Sequence, residues 1–304
     1  MKKVLYVFGG EKASGAEIVI ERLISYNIKH VEPHLALSPG KFADNLIAAN
    51  KPYSIIQLED LRKLNRSSTG TIGFLIKAIK NYFSVSAFVV SYIKKNRIDI
   101  IHANTVVPAS YLVPAIIYSK LFIKNKQWVW SDHDLKYFSK LDTLLSNLCV
   151  SLYNKTLAVS YAVKAKYSEN SSVGVLYNGL DTEIFKNNPK ARSLFRAGLG
   201  LEDQAIVMGI AATISPRKGQ LEFINVFKEL SKIHLNLVLL LAGGLGEDDH
   251  AYNLKVNDAI NGSPNIKYIG HVANMIDYYS GCDIIVNNSN TGGSELTVFV
   301  SLAW

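Results

Sequence analysis

At 304 residues the chain is long enough for two domains, at the usual ~100–200 residues each. Its 48% hydrophobic and 19% charged residues exclude a disordered chain. The net charge of +8 is uneven, with 24 Lys/Arg against 14 Asp/Glu in residues 1–186 and 9 against 11 in residues 187–304.

Met1-Lys-Lys runs at once into the strand-like Val4-Leu-Tyr-Val-Phe-Gly-Gly10, so a secretory leader is not expected. Lys3–Gly9 is a strand, Gly9–Gly15 a glycine-rich loop and Ala16–Tyr26 a helix. Short apolar runs follow at His34–Leu37, Ser54–Leu58, Ile98–His102, Trp128–Ser131, Thr156–Val159 and Val173–Leu176, with helical stretches between them. Ile72–Ile93 is broken by Lys77 and Lys80, and Val106–Ile123 by Pro108, Pro114 and Lys120, so neither is a membrane span. The first reads either as an amphipathic surface helix or as a sheet-covering helix with a cationic end at Lys94-Lys95-Asn96-Arg97.

Asn187–Arg196 is a linker and short helix, after which the strand pattern restarts at Ile206–Ala211, Leu235–Ala242, Ile266–Ile269 and Asp283–Val286. This alternation predicts two doubly wound, Rossmann-like α/β domains in tandem, residues 1–186 and 187–304, with a cleft between them. Ala303-Trp304 ends the sequence in an apolar, uncapped segment, so the second domain is expected to be incomplete. Cys149 and Cys282 sit in apolar surroundings without metal-ligand spacing, as reduced thiols of a cytoplasmic protein do. The basic first domain suits an anionic membrane face or a pyrophosphate-linked lipid, and no motif argues for nucleic acid.

The stretch Ile206–Gly219 places two cations where a strand hands over to a helix. Pro216 preforms a turn, Arg217 and Lys218 follow, and Gln220–Leu230 has helical spacing at Leu221, Ile224, Phe227 and Leu230. A helix N-terminus with Arg and Lys beside it suits a diphosphate, and the plainer alternative is a solvated pair on a loop.

Several further motifs fall in a fixed order. Ser14-Gly15-Ala16-Glu17 opens the first helix, Asp99-Ile-Ile-His102 ends a strand, and Ser131-Asp132-His133-Asp134 ends another. Leu241-Ala242-Gly243-Gly244, Ile269-Gly270-His271-Val272 and Asp283–Ser289 come later. In this order and spacing the chain resembles the family-4 retaining glycosyltransferases of the GT-B fold, from residue 4 to 304.

The resemblance implies two Rossmann-like domains facing across a cleft, an acceptor held by the first and a nucleotide-diphosphate-sugar donor by the second. It implies no cofactor and no metal. Lys218 matches the lysine that stabilises charge on the departing diphosphate, and Gly15 the glycine that lets the backbone approach the donor phosphate. His133 matches the histidine that orients the transferred sugar. Gly243, His271 and Val272 fall on the donor side, His102 on the acceptor side.

The sequence also departs from the family. Thr213 stands where an arginine is usual, and Arg217 is the substitute cation. Of the family's two glutamates, which have seven residues between them, alignment puts Gly292 and Val300, or Glu295 and Ala303, at the positions, so the second is absent. Thr291–Glu295 keeps Gly293 and Ser294 as an anion-facing cap and Glu295 as a nearby carboxylate, or is a plain capping turn.

The expected activity is retaining transfer of a hexose from a nucleotide-sugar to a glycan or lipid-linked acceptor, in the cytoplasm and peripherally on the inner membrane face. The alternative is a non-catalytic module that binds a partner transferase. A nicotinamide enzyme is disfavoured, because Gly9-Gly10 and Gly15 do not match G-x-G-x-x-G.

Overall fold

The computed structural model describes residues 1–62, 70–137, 139–167, 172–246 and 249–290. It divides into two units, Met1–Gly179 and Leu180–Trp304. The sequence boundary fell at 186/187. Leu180 and Phe185 instead pack against the second unit's core, around Tyr278 and Val207, and so their side chains carry residues 180–186 with that unit.

The first unit runs β1 (Lys2–Phe8), α1 (Gly15–Asn27), β2 (Val31–Leu37), α2 (Lys41–Ala48), β3 (Ser54–Gln57), α3 (Gly70–Asn96), β4 (Ile100–Asn104), α4 (Val106–Tyr111), α5 (Val113–Phe122), β5 (Gln127–Asp132), α6 (Lys140–Leu152), β6 (Lys155–Ala158), α7 (Tyr161–Lys164) and β7 (Val173–Val175). Its strands form one parallel sheet in the order β3-β2-β1-β4-β5-β6-β7. Strand side chains alternate between two cores, as a period of two requires. Val4, Tyr6 and Phe8 pack under α1 and α2 with Ile20, Ile24 and Phe42. Leu5 and Val7 pack with Val89 and Ile93 of α3 and with Ile116 and Cys149.

The second unit runs α8 (Pro189–Gly198), β8 (Ile206–Ala211), α9 (Gln220–Ile233), β9 (Leu237–Ala242), α10 (His250–Ile260), β10 (Ile266–Gly270), α11 (Met275–Gly281) and β11 (Ile284–Ile285). Its parallel sheet has the order β10-β9-β8-β11. Leu237, Leu239 and Leu241 face α9 and α10, while Leu240 and Ala242 face the α8 and α11 side.

The end of β4 differs from its sequence expectation. β4 pairs with β1 up to Asn104 opposite Phe8, so His102 lies within the strand rather than at its end. Ala103 and Asn104 contain nothing that breaks the ladder, and it continues until Thr105 turns the chain.

Candidate functional site

In an open parallel sheet the crevice for a ligand opens where strand order reverses, beyond the carboxyl ends of the strands. The first unit reverses between β1 and β4, and the second between β8 and β11.

At the first reversal the loop after β1 lies tightly on its neighbours. A Cβ on Gly9 would stand 3.1 Å from Pro108 Cγ, and one on Gly10 only 2.6 Å from Glu17 Oε1. Glu17, buried in the first turn of α1, accepts from the Ser14 backbone N–H at 3.1 Å and from the Ser14 hydroxyl. This capping carboxylate already supplies a negative charge to the helix N-terminus. Gly15 opens α1 with empty space where its Cβ would be.

The histidines occupy distinct environments. His102 is buried, tilted against the Tyr6 ring at 5.5 Å, and its Nε2 shares a 2.7 Å hydrogen bond with the Ser131 hydroxyl. Burial, aided by nearby His133, pushes its pKa down to about 4. It is thus a neutral, hydrogen-bonded member of the sheet. His133 follows β5, with Nε2 2.9 Å from Asn104 Oδ1. Burial holds it at about 4 as well, although neighbouring Asp132 pulls upward. Both rings are neutral at pH 7.

Asp132, beneath that loop, is the centre of a buried ionic cluster. It pairs with Lys166 Nζ at 2.7 Å, accepts from the Tyr167 hydroxyl, and accepts from the Asp134 N–H at 3.1 Å. Lys166 also lies over the Tyr137 and Tyr167 rings at 5.1 and 5.3 Å. Burial, followed by the Asp132 charge, drives the Tyr167 hydroxyl far above its ordinary value, so it remains a donor.

At the second reversal a single turn of 3-10 helix, Pro216–Lys218, precedes Gly219, which takes a left-handed φ of 67°. A side chain on Gly219 would meet Asn288 at 2.6 Å, and Asn288 Nδ2 donates to the Gly219 carbonyl at 2.8 Å. Buried Gln220 closes the turn from inside: its Nε2 donates to Thr213 O at 2.9 Å and its Oε1 accepts from Ser215 N–H at 3.3 Å. The Asn290 N–H donates to Arg217 O at 2.9 Å. Lys218 is 9% exposed and lines a pocket with Ala211, Ala212, Asn287, Asn288 and Ser289, beyond β8 and β11. Arg217 is exposed. The Leu221 N–H, in the first turn of α9, is taken by the Tyr252 hydroxyl at 2.9 Å.

Gly243, beyond β9, has φ 142°, and its Cβ would collide with Ala212 O at 2.0 Å. Glycine is therefore needed there for backbone approach alone. His271 is exposed, and Val272 packs against the Tyr278 core. Gly293, Ser294 and Glu295 lie outside the described residues, as do Gly292, Val300 and Ala303. Among the described residues, no group of three His, Cys, Asp or Glu side chains is arranged to hold a metal.

The structure brings together several residues that sequence reasoning did not select. Asn104 meets His133, Lys166 and Tyr167 meet Asp132, and Asn288 and Gln220 hold the Lys218 turn. Asn288 lay inside the quoted Asp283–Ser289 motif. The Asp132–Lys166 pair had no signal, because no local spacing joins the end of β5 to the 3-10 turn Ala165–Tyr167 that follows α7.

The model of Glycosyltransferase Family 4 matches residues 13–184, and that of Glycosyl transferases group 1 matches residues 192–296. Among solved structures, HepE of Anabaena in complex with UDP-glucose superposes with a TM-score of 0.77 at 20% identity, over 100% of this chain and 78% of that one. A glycosyltransferase from Rickettsia africae superposes at 0.78 with 17% identity, over 99% and 77%. These likenesses show the GT-B fold. Lipopolysaccharide 1,2-N-acetylglucosaminetransferase of Salmonella typhimurium is 33% identical over 92 residues, which span 29% of this chain and only 24% of that protein.

Proposed function

Because the chain belongs to Glycosyltransferase Family 4, we propose that it moves a hexose from a nucleotide-diphosphate-sugar to a glycan or lipid-linked acceptor, with retention at the anomeric carbon. The observation that carries this reading is Lys218, a nearly buried ammonium at the reversal between β8 and β11, where a diphosphate would lie. A cation in such a site stabilises charge that grows on the leaving group more than charge already solvated in the ground state.

The acceptor hydroxyl oxygen bonds to the anomeric carbon as the carbon–oxygen bond to the diphosphate breaks. The electron pair leaves on the phosphate, and the hydroxyl proton follows it. Attack from the side of departure keeps the configuration. His133 contacts the sugar as a neutral ring, and Arg217 adds charge at the turn in place of the arginine that Thr213 lacks. No metal ion is required in this scheme, since Lys218 and Arg217 face the diphosphate. The crystal complexes of HepE with UDP and UDP-glucose make UDP the first nucleotide to try.

The acceptor side carries a further feature. On α3, Ile76, Ile79 and Phe83 are exposed beside exposed Lys77 and Lys80. This face would rest on an anionic membrane at the cytoplasmic side, where a lipid-linked acceptor is presented.

The test is calorimetric titration of UDP into the 304-residue chain beside Lys218→Ala and Arg217→Glu. Micromolar binding by the wild type that falls about ten-fold or more in Lys218→Ala, and is abolished in Arg217→Glu, is expected. Equal affinity in Lys218→Ala would remove the lysine from the donor site. Absence of binding to UDP, GDP and their sugars would overturn the transferase reading.

A further inference from the structure

We propose that Asn104 is a positioning residue that sets the tautomer of His133, so that the ring meets a hydroxyl of the transferred sugar through an unprotonated Nδ1. This rests on the transferase reading and adds a residue to it.

The geometry starts with strand pairing. Asn104, the last residue of β4, stands opposite Ser131 of β5, and His133 follows two residues later. The Thr105 N–H donates to Ser131 O at 3.0 Å, which ties the two strand ends together just where the amide and the ring meet. Thr105 reaches this position only with φ 70° and ψ 168°, a backbone region almost confined to glycine. The consequence is a fixed approach of Asn104 Oδ1 to His133 Nε2 at 2.9 Å.

A carbonyl oxygen only accepts, so Nε2 donates. The ring holds a single proton, because burial keeps it neutral against the pull of Asp132. Asp132 has its own cation in Lys166, and His102 on the neighbouring strand is also neutral. With the proton on Nε2, Nδ1 presents a lone pair and accepts. Such a ring orients a sugar hydroxyl; it does not protonate a leaving group.

Asn104 itself has no other visible task. It is 1% exposed, and its Nδ2 has no hydrogen-bond partner among the described residues. A buried amide with one end unsatisfied is unfavourable, and an aliphatic side chain of similar size would avoid that penalty. Among the described residues, its side chain hydrogen-bonds to the histidine alone.

Long-range proton–nitrogen NMR of the 15N-labelled full chain without sugar reads the tautomer directly. The His133 signals are identified by their loss in His133→Gln. Protonated Nε2 with unprotonated Nδ1 is expected. Protonated Nδ1 would mean that the amide is rotated with Nδ2 toward the ring, and would overturn the assignment. In Asn104→Ala a mixture of tautomers is expected, with kcat lowered about ten-fold or more and UDP affinity unchanged. A single unchanged tautomer in that variant would also refute the role. If Asn104→Ala fails to fold, the wild-type spectrum alone decides. Because the spectrum needs no substrate, its outcome is separate from whether the chain binds UDP.

Discussion

Thr105 carries φ 70° and ψ 168° at the point where β4 ends and α4 begins. A β-branched residue there is strained by about 1–3 kcal/mol, and glycine would remove much of the strain. Thr105→Gly should therefore raise the unfolding free energy by about 1 kcal/mol despite glycine's larger unfolded-state entropy; urea denaturation measures it, and a loss of stability would show that Thr105 side-chain contacts outweigh the backbone term. Residue type alone indicated some of this region. Lys218 was singled out as a cation after Pro216, and His133 through its match to a family motif at a strand end. His102 looked similar but lies inside β4, bonded to Ser131. Asn104 was not legible, since a single asparagine after an apolar run reads as a strand end, and only the pairing of β4 with β5 brings it to the ring.

Strands and helices were legible from periodicity, and their ends less so. β8 spans Ile206–Ala211 as expected, whereas β4 ends two residues beyond His102 and β9 begins at Leu237 rather than Leu235. Helix α8 shows what periodicity omits. Its Arg196, 2% exposed, donates to the carbonyls of Gly281, Glu202, Asp203 and Ala205 and pairs with Asp283, which Arg192 also contacts. Asp283 further accepts from the Val207 N–H at 2.7 Å, so one carboxylate joins α8 to β8 and the start of β11. Removing its charge leaves a buried guanidinium without its counter-ion, and Asp283→Asn should lower stability by about 2–3 kcal/mol at pH 7. Burial works against the Asp283 charge, but the Val207 N–H and the two arginines outweigh it and hold the carboxyl below its usual value. A depressed folded value means that the contribution is complete above the unfolded pKa of about 4 and disappears as pH falls through the folded one. The gap between wild type and Asp283→Asn should thus close on acidification below about pH 4; a gap that stays constant would show that the charge is not responsible.

The two units build separate sheets and separate cores, and the positive charge lies in the first. Exposed Ile76, Ile79 and Phe83 beside Lys77 and Lys80 combine apolar area with charge, so sedimentation with anionic vesicles should exceed that with neutral ones. The Lys77→Glu/Lys80→Glu pair should remove most of the difference, and equal binding to neutral vesicles would sink the membrane reading. Among the described residues no helix is long and apolar enough to cross a membrane. The amino-acid sequence by itself determined the two-domain α/β architecture, because apolar periodicity and turn residues act locally and survive in one dimension. It also determined the family, through motifs kept in order. The tertiary structure alone decided which side chains share a site. Strand order β3-β2-β1-β4 and β10-β9-β8-β11 sets where each sheet reverses, and side chains distant in sequence such as Asn104 and His133, or Lys166 and Asp132, meet only after the sheet is formed. Burial likewise arises only on folding, and it is burial that keeps His133 neutral and encloses Lys218 beside β8 and β11.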